Sequence, residues 1–355
     1  MKFTPLFLSF FLAFSSATQL QAAYTIKDGS LVNVDSAPYM SVEEHYNAAV
    51  DAYEAKDWLE ASNQFYMVKA GFPNSTYSQE SGFYLAVCYF NIGELDAANT
   101  TFSIYLQGKD HPRLFQDAIQ YKFAIAERFR AGARCRLFGY KQLPKWSGGY
   151  ELALTIYDEV VAALPCHDLA AEAFYSKALL LRSKREYREC IDCLQMAVRR
   201  FPKHELAPEY FLLINTCYLD QCRLEFQNPD ILAFAEINCR RFQLQFPREE
   251  RLAQAEAGIR EIKEVYGWGL ANTGLFYERI GKPRASILYY QNTVHQFPDT
   301  QSAELARRRL TILGGEIPQS ATDCESIPAK EKSCVDSTDE IKAEDDSDKK
   351  IDWVP

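Results

Sequence analysis

The feature that most constrains this chain is a two-residue phrase closing successive amphipathic stretches. Phe-Pro occurs at 72–73, 201–202, 246–247 and 297–298, and Leu-Pro at 164–165. Proline clashes with the carbonyl four residues back and pushes its predecessor out of helical geometry, so each pair marks a helix end. Twelve residues before each proline stands a small side chain: Ala61, Ala153, Cys190, Ala235 and Ser286. A small residue at a fixed offset lets two helices approach closely. Stops that recur in this way describe helical hairpins stacked in series, a solenoid.

Counted back from the prolines, the stretches fall on the 34-position tetratricopeptide repeat (TPR) pattern. The first unit, 42–75, places Ala48 and Ala49 in helix A, Lys56-Asp57 at the turn, and Trp58, Ala61, Phe65, Val68 and Pro73 along helix B. The second reads Gly93-Glu94-Leu95-Asp96-Ala97-Ala98 with Phe102 following, and exits through His111-Pro112. Ala153, Tyr157, Val160 and Pro165 mark the third, and Tyr187, Cys190, Leu194, Ala197 and Pro202 the fourth. The fifth has Ala235, Phe242 and Pro247; the sixth has Gly274, Gly281, Ser286, Tyr290 and Pro298. The expected fold is all-α, a TPR solenoid of about six helix-turn-helix units, with the 14 % of aromatic residues filling the seams between repeats.

Uneven spacing places the insertions. The fifth unit has about 11 extra residues, assigned to Cys222–Asp230, and an additional helix is expected near Arg251–Val265. After a helix over 114–130, the basic and aromatic segment 131–147 reads as a tolerated surface loop, with projection toward a partner as its second reading.

The two ends indicate a compartment. Residues 1–23 carry Lys2, the apolar run Leu6–Phe14 and the close Gln21-Ala22-Ala23, which is the layout of a secretory signal peptide and too short for a membrane span. The first cysteine is Cys88, so no lipidation cysteine is expected at the cleavage site. Residues 316–355 hold twelve acids against five lysines, most of the formal net charge of −9, and read as a disordered acidic tail. The expected layout is a signal peptide at 1–23, an extension at 24–41, the solenoid at 42–313 and the tail at 314–355, in a periplasmic protein.

Motifs for chemistry are missing from the sequence. There is no Gly-rich phosphate loop and no Gly-x-Ser-x-Gly turn, and His45, His111, His167, His204 and His295 are scattered. No catalysis, metal or cofactor is expected, and no basic stripe argues for nucleic acid. Cys190-x-x-Cys193 is spelled like a redox motif but falls inside a helix. There the Cβ atoms stand about 5–6 Å apart, beyond the disulfide optimum of about 3.8 Å. Both cysteines read as packing residues, with a thiol oxidoreductase as the alternative, while Cys324 and Cys334 in the tail are free to cross-link.

Binding is what remains. TPR helix-A positions line a groove, which here assigns Tyr46, Asn47, Phe83, Tyr84, Val87, Phe90 and Asn91, with Tyr175 and Trp268 in later units. Aromatic rings with a few amides suit an extended apolar peptide. TPRs that clamp a terminal carboxylate place Lys and Asn where this chain has Tyr46 and Val50, so that mode is not expected.

The stretch Tyr46–Pro112, with FPNSTYSQESGFYLAVCYFNIGELDAANTTFSIYL at its centre, resembles the N-terminal repeats of the BamD family, TPR lipoproteins of the β-barrel assembly machinery. GLANTGLFYERIGKPRASILYYQNTVHQFPDTQSAELARRRL resembles that family's closing repeat. The resemblance implies an outer-membrane-associated scaffold. Its N-terminal repeats would recognise unfolded barrel clients and its C-terminal repeats would dock a barrel-assembly partner. Without a lipidation cysteine, the membrane would be reached only through partners. Tol-Pal-associated envelope coordinators share the Pro-x-Ser/Thr turn and supply the alternative.

Overall fold

A computed structural model describes residues 24–27, 30–33, 39–108, 112–136, 144–225 and 228–318. The proposed signal peptide, the tail cysteines and most of the acidic tail lie outside the described residues. The chain divides into two compact units, with the boundary between Tyr266 and Gly267. In the first, a short antiparallel ladder joins β1 (Tyr24–Lys27) to β2 (Ser30–Asn33), with Tyr24 opposite Asn33. Five helical hairpins follow: α1 (Val42–Glu54) with α2 (Trp58–Gly71), α3 (Thr76–Ile92) with α4 (Leu95–Leu106), α5 (Phe115–Arg130) with α6 (Tyr150–Ala163), α7 (Asp168–Ser183) with α8 (Tyr187–Arg200), and α9 (Ala207–Leu224) with α10 (Pro229–Gln245). Helix α11 (Leu252–Arg279) contains the boundary. In the second unit its C-terminal part precedes α12 (Pro283–Gln296) and α13 (Gln301–Leu313). The fold is an all-α TPR solenoid.

The Phe-Pro phrase builds the same joint five times. Phe72, Leu164, Phe201, Phe246 and Phe297 each cap a helix with φ between −133 and −122° and ψ between 56 and 67°, outside helical space as a residue before proline must be. Each of their carbonyls accepts the N–H three residues on, from Ser75, His167, His204, Glu249 and Thr300, at 3.0–3.3 Å. Proline at the second place of such a β-turn supplies the required φ and lacks only a donor that the turn does not use. The fourth residue is the N-cap of the next helix at Ser75, His167 and Thr300, whereas α9 and α11 start three residues after His204 and Glu249. Side chains of Ser75, His167, His204 and Thr300 accept N–H groups of Tyr77, Leu169, Leu206 and Ala303 at 3.0–3.2 Å. Of the scattered histidines, His167 is therefore a helix cap, and His204 braces the turn ahead of α9.

The small residues lie where the hairpins cross. Ala61, Ala153, Cys190, Ala235 and Ser286 are all 0 % exposed, as is Ala98 in the second hairpin. One and two turns further along, Phe65 and Val68, Phe102 and Tyr105, Tyr157 and Val160, Leu194 and Ala197, Cys239 and Phe242, and Tyr290 and Thr293 are buried as well. A stripe at i, i+4 and i+7 is one face of a helix, and here it is the face that holds each repeat together.

The insertions differ from expectation in two of three places. The fifth hairpin absorbs its extra residues in longer helices, 18 and 17 residues against 13 and 14 in the first, and its connection is short. No separate helix occupies 251–265. That segment runs on into the sixth helix A as the 28-residue α11, because no Pro or Gly-Pro pair interrupts it. The third insertion does not project freely at its base. Its strands β3 (Arg134–Cys135) and β4 (Ser147–Gly148) pair, and the flanking cations fold back onto the α3–α4 turn. The Arg136 guanidinium meets the Glu94 carboxylate at 2.8 Å and its backbone N–H donates to Asp96 Oδ2 at 2.7 Å. Lys145 Nζ donates to the Gly93 carbonyl at 2.8 Å and lies 3.2 Å from Glu94. Burial works to raise the Glu94 pKa, but the hydrogen bonds and charges of Arg136 and Lys145 outweigh it and hold the carboxyl below its usual range.

Candidate protein-binding groove

Helices α1, α3 and α5 bring an aromatic cluster to the helix-A side of the first three hairpins. Tyr46 on α1 packs its ring 4.7 Å from that of Tyr77 and donates its hydroxyl to Glu80 Oε2 at 3.4 Å. Burial, followed by the Glu80 charge, pushes its pKa up to about 12. Tyr84 on α3 stacks on Phe65 at 5.5 Å and meets Tyr53 edge-on at 5.3 Å. Burial raises its pKa first, then the Glu80 carboxylate, while the Arg113 charge opposes them. Phe90 is half-buried between the Tyr121 ring at 5.5 Å and the Arg128 guanidinium, 4.9 Å above its centroid. Asn47 and Asn91 are exposed, and Asn91 Nδ2 donates to the Val87 carbonyl at 2.9 Å.

Two expected groove residues sit deeper than a groove wall. Phe83 is 5 % exposed and Val87 1 %. Phe83 lies within 6.0 Å, centroid to centroid, of Phe102, Tyr105 and Tyr121. The third hairpin's helix A covers that side of α3, so these two side chains support the cluster from below and do not meet solvent. Tyr53, Tyr121 and Arg128 were missed. The last two belong to α5, whose repeat register is displaced from its helix B by the 131–147 insertion, so counting back from Pro165 lands inside the loop.

Further along the same unit the lining turns acidic. A cleft of about 610 Å³ is bordered by Phe123, Glu127, Glu172, Tyr175, His204 and Glu205. In the second unit Trp268 is 39 % exposed, whereas Glu278 is occupied by Arg309 and by the Tyr290 hydroxyl at 3.0 Å.

The cysteine pair has the wrong environment for thiol chemistry. Cys190 Sγ is 3.3 Å from Cys217 Sγ and 3.1 Å from the Ala178 carbonyl, and Cys193 Sγ is 3.7 Å from the Phe174 carbonyl. The hydrogen bond shared with Cys217 and burial raise the Cys190 thiol pKa, and burial pushes Cys193 up to about 12. A nucleophilic thiol needs the opposite shift. Among the described residues no group of three or more His, Cys, Asp or Glu is placed to hold a metal, and no helix is long and apolar enough to cross a membrane.

No curated protein matches the chain by sequence. Among solved structures it is similar to MamA from Desulfovibrio magneticus RS-1, at 18 % identity over 59 % of this chain and 97 % of that one, with a TM-score of 0.32. A tetratricopeptide repeat protein from Parabacteroides merdae ATCC 43184 gives 12 % identity over 77 % and 99 %, with a TM-score of 0.33. The C-terminal part of a TPR protein from Cytophaga hutchinsonii gives 13 % over 74 % and 98 %, with a TM-score of 0.32. The family of YfiO, an outer membrane lipoprotein, matches residues 38–116. The BamD-like resemblance read from the sequence is thus met over the first two hairpins, the part of the chain that carries Tyr46, Tyr84 and Phe90.

Proposed function

We propose that this chain is a periplasmic scaffold of outer-membrane β-barrel assembly, taking apolar segments of unfolded barrel clients into the groove of its first hairpins and docking a barrel-assembly partner elsewhere. A protein-binding TPR scaffold is the reading that fold and family match support directly. The client and the compartment are the further step. One coincidence carries it: residues 38–116, which match the outer-membrane lipoprotein family, contain Tyr46, Tyr84 and Phe90, and only their neighbours Tyr121 and Arg128 on α5 lie beyond that stretch. Tyr46, Tyr84 and Phe90 offer ring faces, Asn47 and Asn91 offer amides at the rim, and Phe83 and Val87 form the floor. Nothing in this role calls for catalysis.

A photo-reactive residue placed at Asn47 or Asn91 in the exported chain tests it. Cross-links to unfolded outer-membrane barrel proteins are expected from both positions, and none from Asn63, which is exposed on helix α2. Equal capture from Asn63, or capture of no barrel protein, contradicts the reading.

A further inference from the structure

Five cysteines fall in the fourth and fifth hairpins, and two of them meet. Cys190 on α8 and Cys217 on α9 stand 27 residues apart in the chain with their sulfurs 3.3 Å from each other. Both are 0 % exposed free thiols that share a hydrogen bond. Their neighbours turn elsewhere: Cys193 Sγ lies 3.7 Å from the Phe174 carbonyl and Cys222 Sγ 3.1 Å from the Leu219 carbonyl.

The repeat makes this pair distinctive. In the same compact unit the two equivalent places are filled by Ala98 and Ile125, Ala153 and Leu180, and Ala235 and Ile262, all of them buried. The first hairpin has Ala61 and Cys88, which belong to one core cluster. Packing at this joint therefore asks for a small residue at the hairpin crossing and an apolar one on the next helix A, and it needs no sulfur. Where both places carry sulfur, the fourth and fifth hairpins face each other through two thiols in contact.

We propose that Cys190 and Cys217 form a disulfide that staples the fourth hairpin to the fifth. The sulfurs have to close from 3.3 Å to about 2.0 Å, a change within reach of side-chain rotation between residues that already touch. The oxidant is itself a disulfide, of a small molecule or a protein. The thiolate of one cysteine attacks it, the S–S bond of the oxidant breaks, and one half leaves as a thiolate. The second cysteine then attacks the sulfur of the first and releases the other half. Two protein thiols thereby lose two protons and two electrons, and the oxidant becomes two thiols. Exchange needs a thiolate and access to it. In the closed structure the shared hydrogen bond and burial keep the Cys190 thiol protonated, so the bond forms as the hairpins meet during folding. The same burial then shields it from reductants. Neither cysteine belongs to the aromatic groove, so the staple is independent of the client proposed there.

The test is to reduce and denature the full chain, refold it with oxidised and reduced glutathione, block the remaining thiols and map the product by mass spectrometry. Cleavage after Asp192 and Asp220 separates Cys190 from Cys193 and Cys217 from Cys222. Most of the refolded chain should yield a Cys190 peptide joined to a Cys217 peptide, lighter by two hydrogen atoms than the free pair. The oxidised chain should melt about 5–15 °C above the reduced one. Cys217→Ala should lose that difference and Cys222→Ala should keep it, and the parent's peptide map decides alone if either variant folds poorly. Cys190 and Cys217 recovered as blocked thiols, links to Cys193 or Cys222 in their place, or equal melting of the oxidised and reduced parent overturns the proposal.

Discussion

Two glycines of α11 offer a controlled test of the packing account, because the same substitution should have opposite signs. Gly→Ala inside a helix gains about 0.8–1.0 kcal/mol from propensity alone. At Gly258 a new Cβ meets nothing within 4 Å, so that gain should appear almost whole. At Gly274 the Cβ would lie 2.7, 2.9 and 3.1 Å from Tyr290 ring carbons. That ring is 0 % exposed, and its hydroxyl is held on Glu278 at 3.0 Å, which Arg309 holds in turn. Overpacking costs about 1–3 kcal/mol, which exceeds the propensity gain. Gly274→Ala should therefore lose about 1 kcal/mol net, and Gly258→Ala should gain about 1 kcal/mol. The two positions lie in different compact units, so hydrogen exchange read peptide by peptide is the suitable assay. Protection of α12 should fall in the first variant, and protection around Gly258 should rise in the second. If Gly274→Ala proves as stable as Gly258→Ala, the close approach of α11 to α12 is wrong.

Further outcomes follow from other contacts. Ala61→Leu, at a crossing with 0 % exposure, should cost about 1–3 kcal/mol by thermal melt, whereas truncation after Gln319 should leave the melt unchanged. Glu94 has a folded pKa below its unfolded value, so its contribution is present above about pH 4.5 and lost as pH falls through the lower folded pKa. The Trp146 fluorescence difference between parent and Trp146→Phe should accordingly hold from pH 8 to about 5 and change below about pH 4, and Arg136→Ala should show the low-pH signal throughout. In the reduced native protein, exposed Cys166 should label rapidly and Cys88, Cys190 and Cys193 slowly. Comparable rates would contradict their burial.

Much of the fold was legible because it is local. A Phe-Pro pair fixes its own turn, and a small residue twelve positions upstream fixes a helix crossing, so Ala61, Ala153, Cys190, Ala235 and Ser286 could be placed from spacing alone. Insertions were harder, since spacing counts extra residues without saying whether a helix or a loop absorbs them. The 28-residue α11 and the long α9 and α10 both show this. The docking of the 131–147 stem depends on Arg136 meeting Glu94, 42 residues away, which no local pattern encodes. In the groove, residue types suggested a binding surface, but a TPR helix A also packs on the next hairpin. Phe83 and Val87 went to that seam, while Tyr46, Tyr84 and Phe90 remained at least partly open.

The groove itself is the central claim, and Phe90 is the residue that probes it most cleanly. Tyr84 contacts three other rings of the core, so its truncation would mix binding with stability, whereas Phe90 touches only the Tyr121 ring and Arg128 among the ring and cation contacts described. The measurement is calorimetric titration with an aromatic, apolar peptide copied from the C-terminal strand of an outer-membrane barrel protein, run on the parent, Phe90→Ala and Phe65→Ala. A buried aromatic anchor commonly carries about 2 kcal/mol of binding, so Phe90→Ala should bind about thirtyfold more weakly at a nearly unchanged melting temperature. Phe65→Ala, which empties a fully buried site, should chiefly lower the melting temperature. Parent-like affinity in Phe90→Ala would contradict the groove as the client-binding surface.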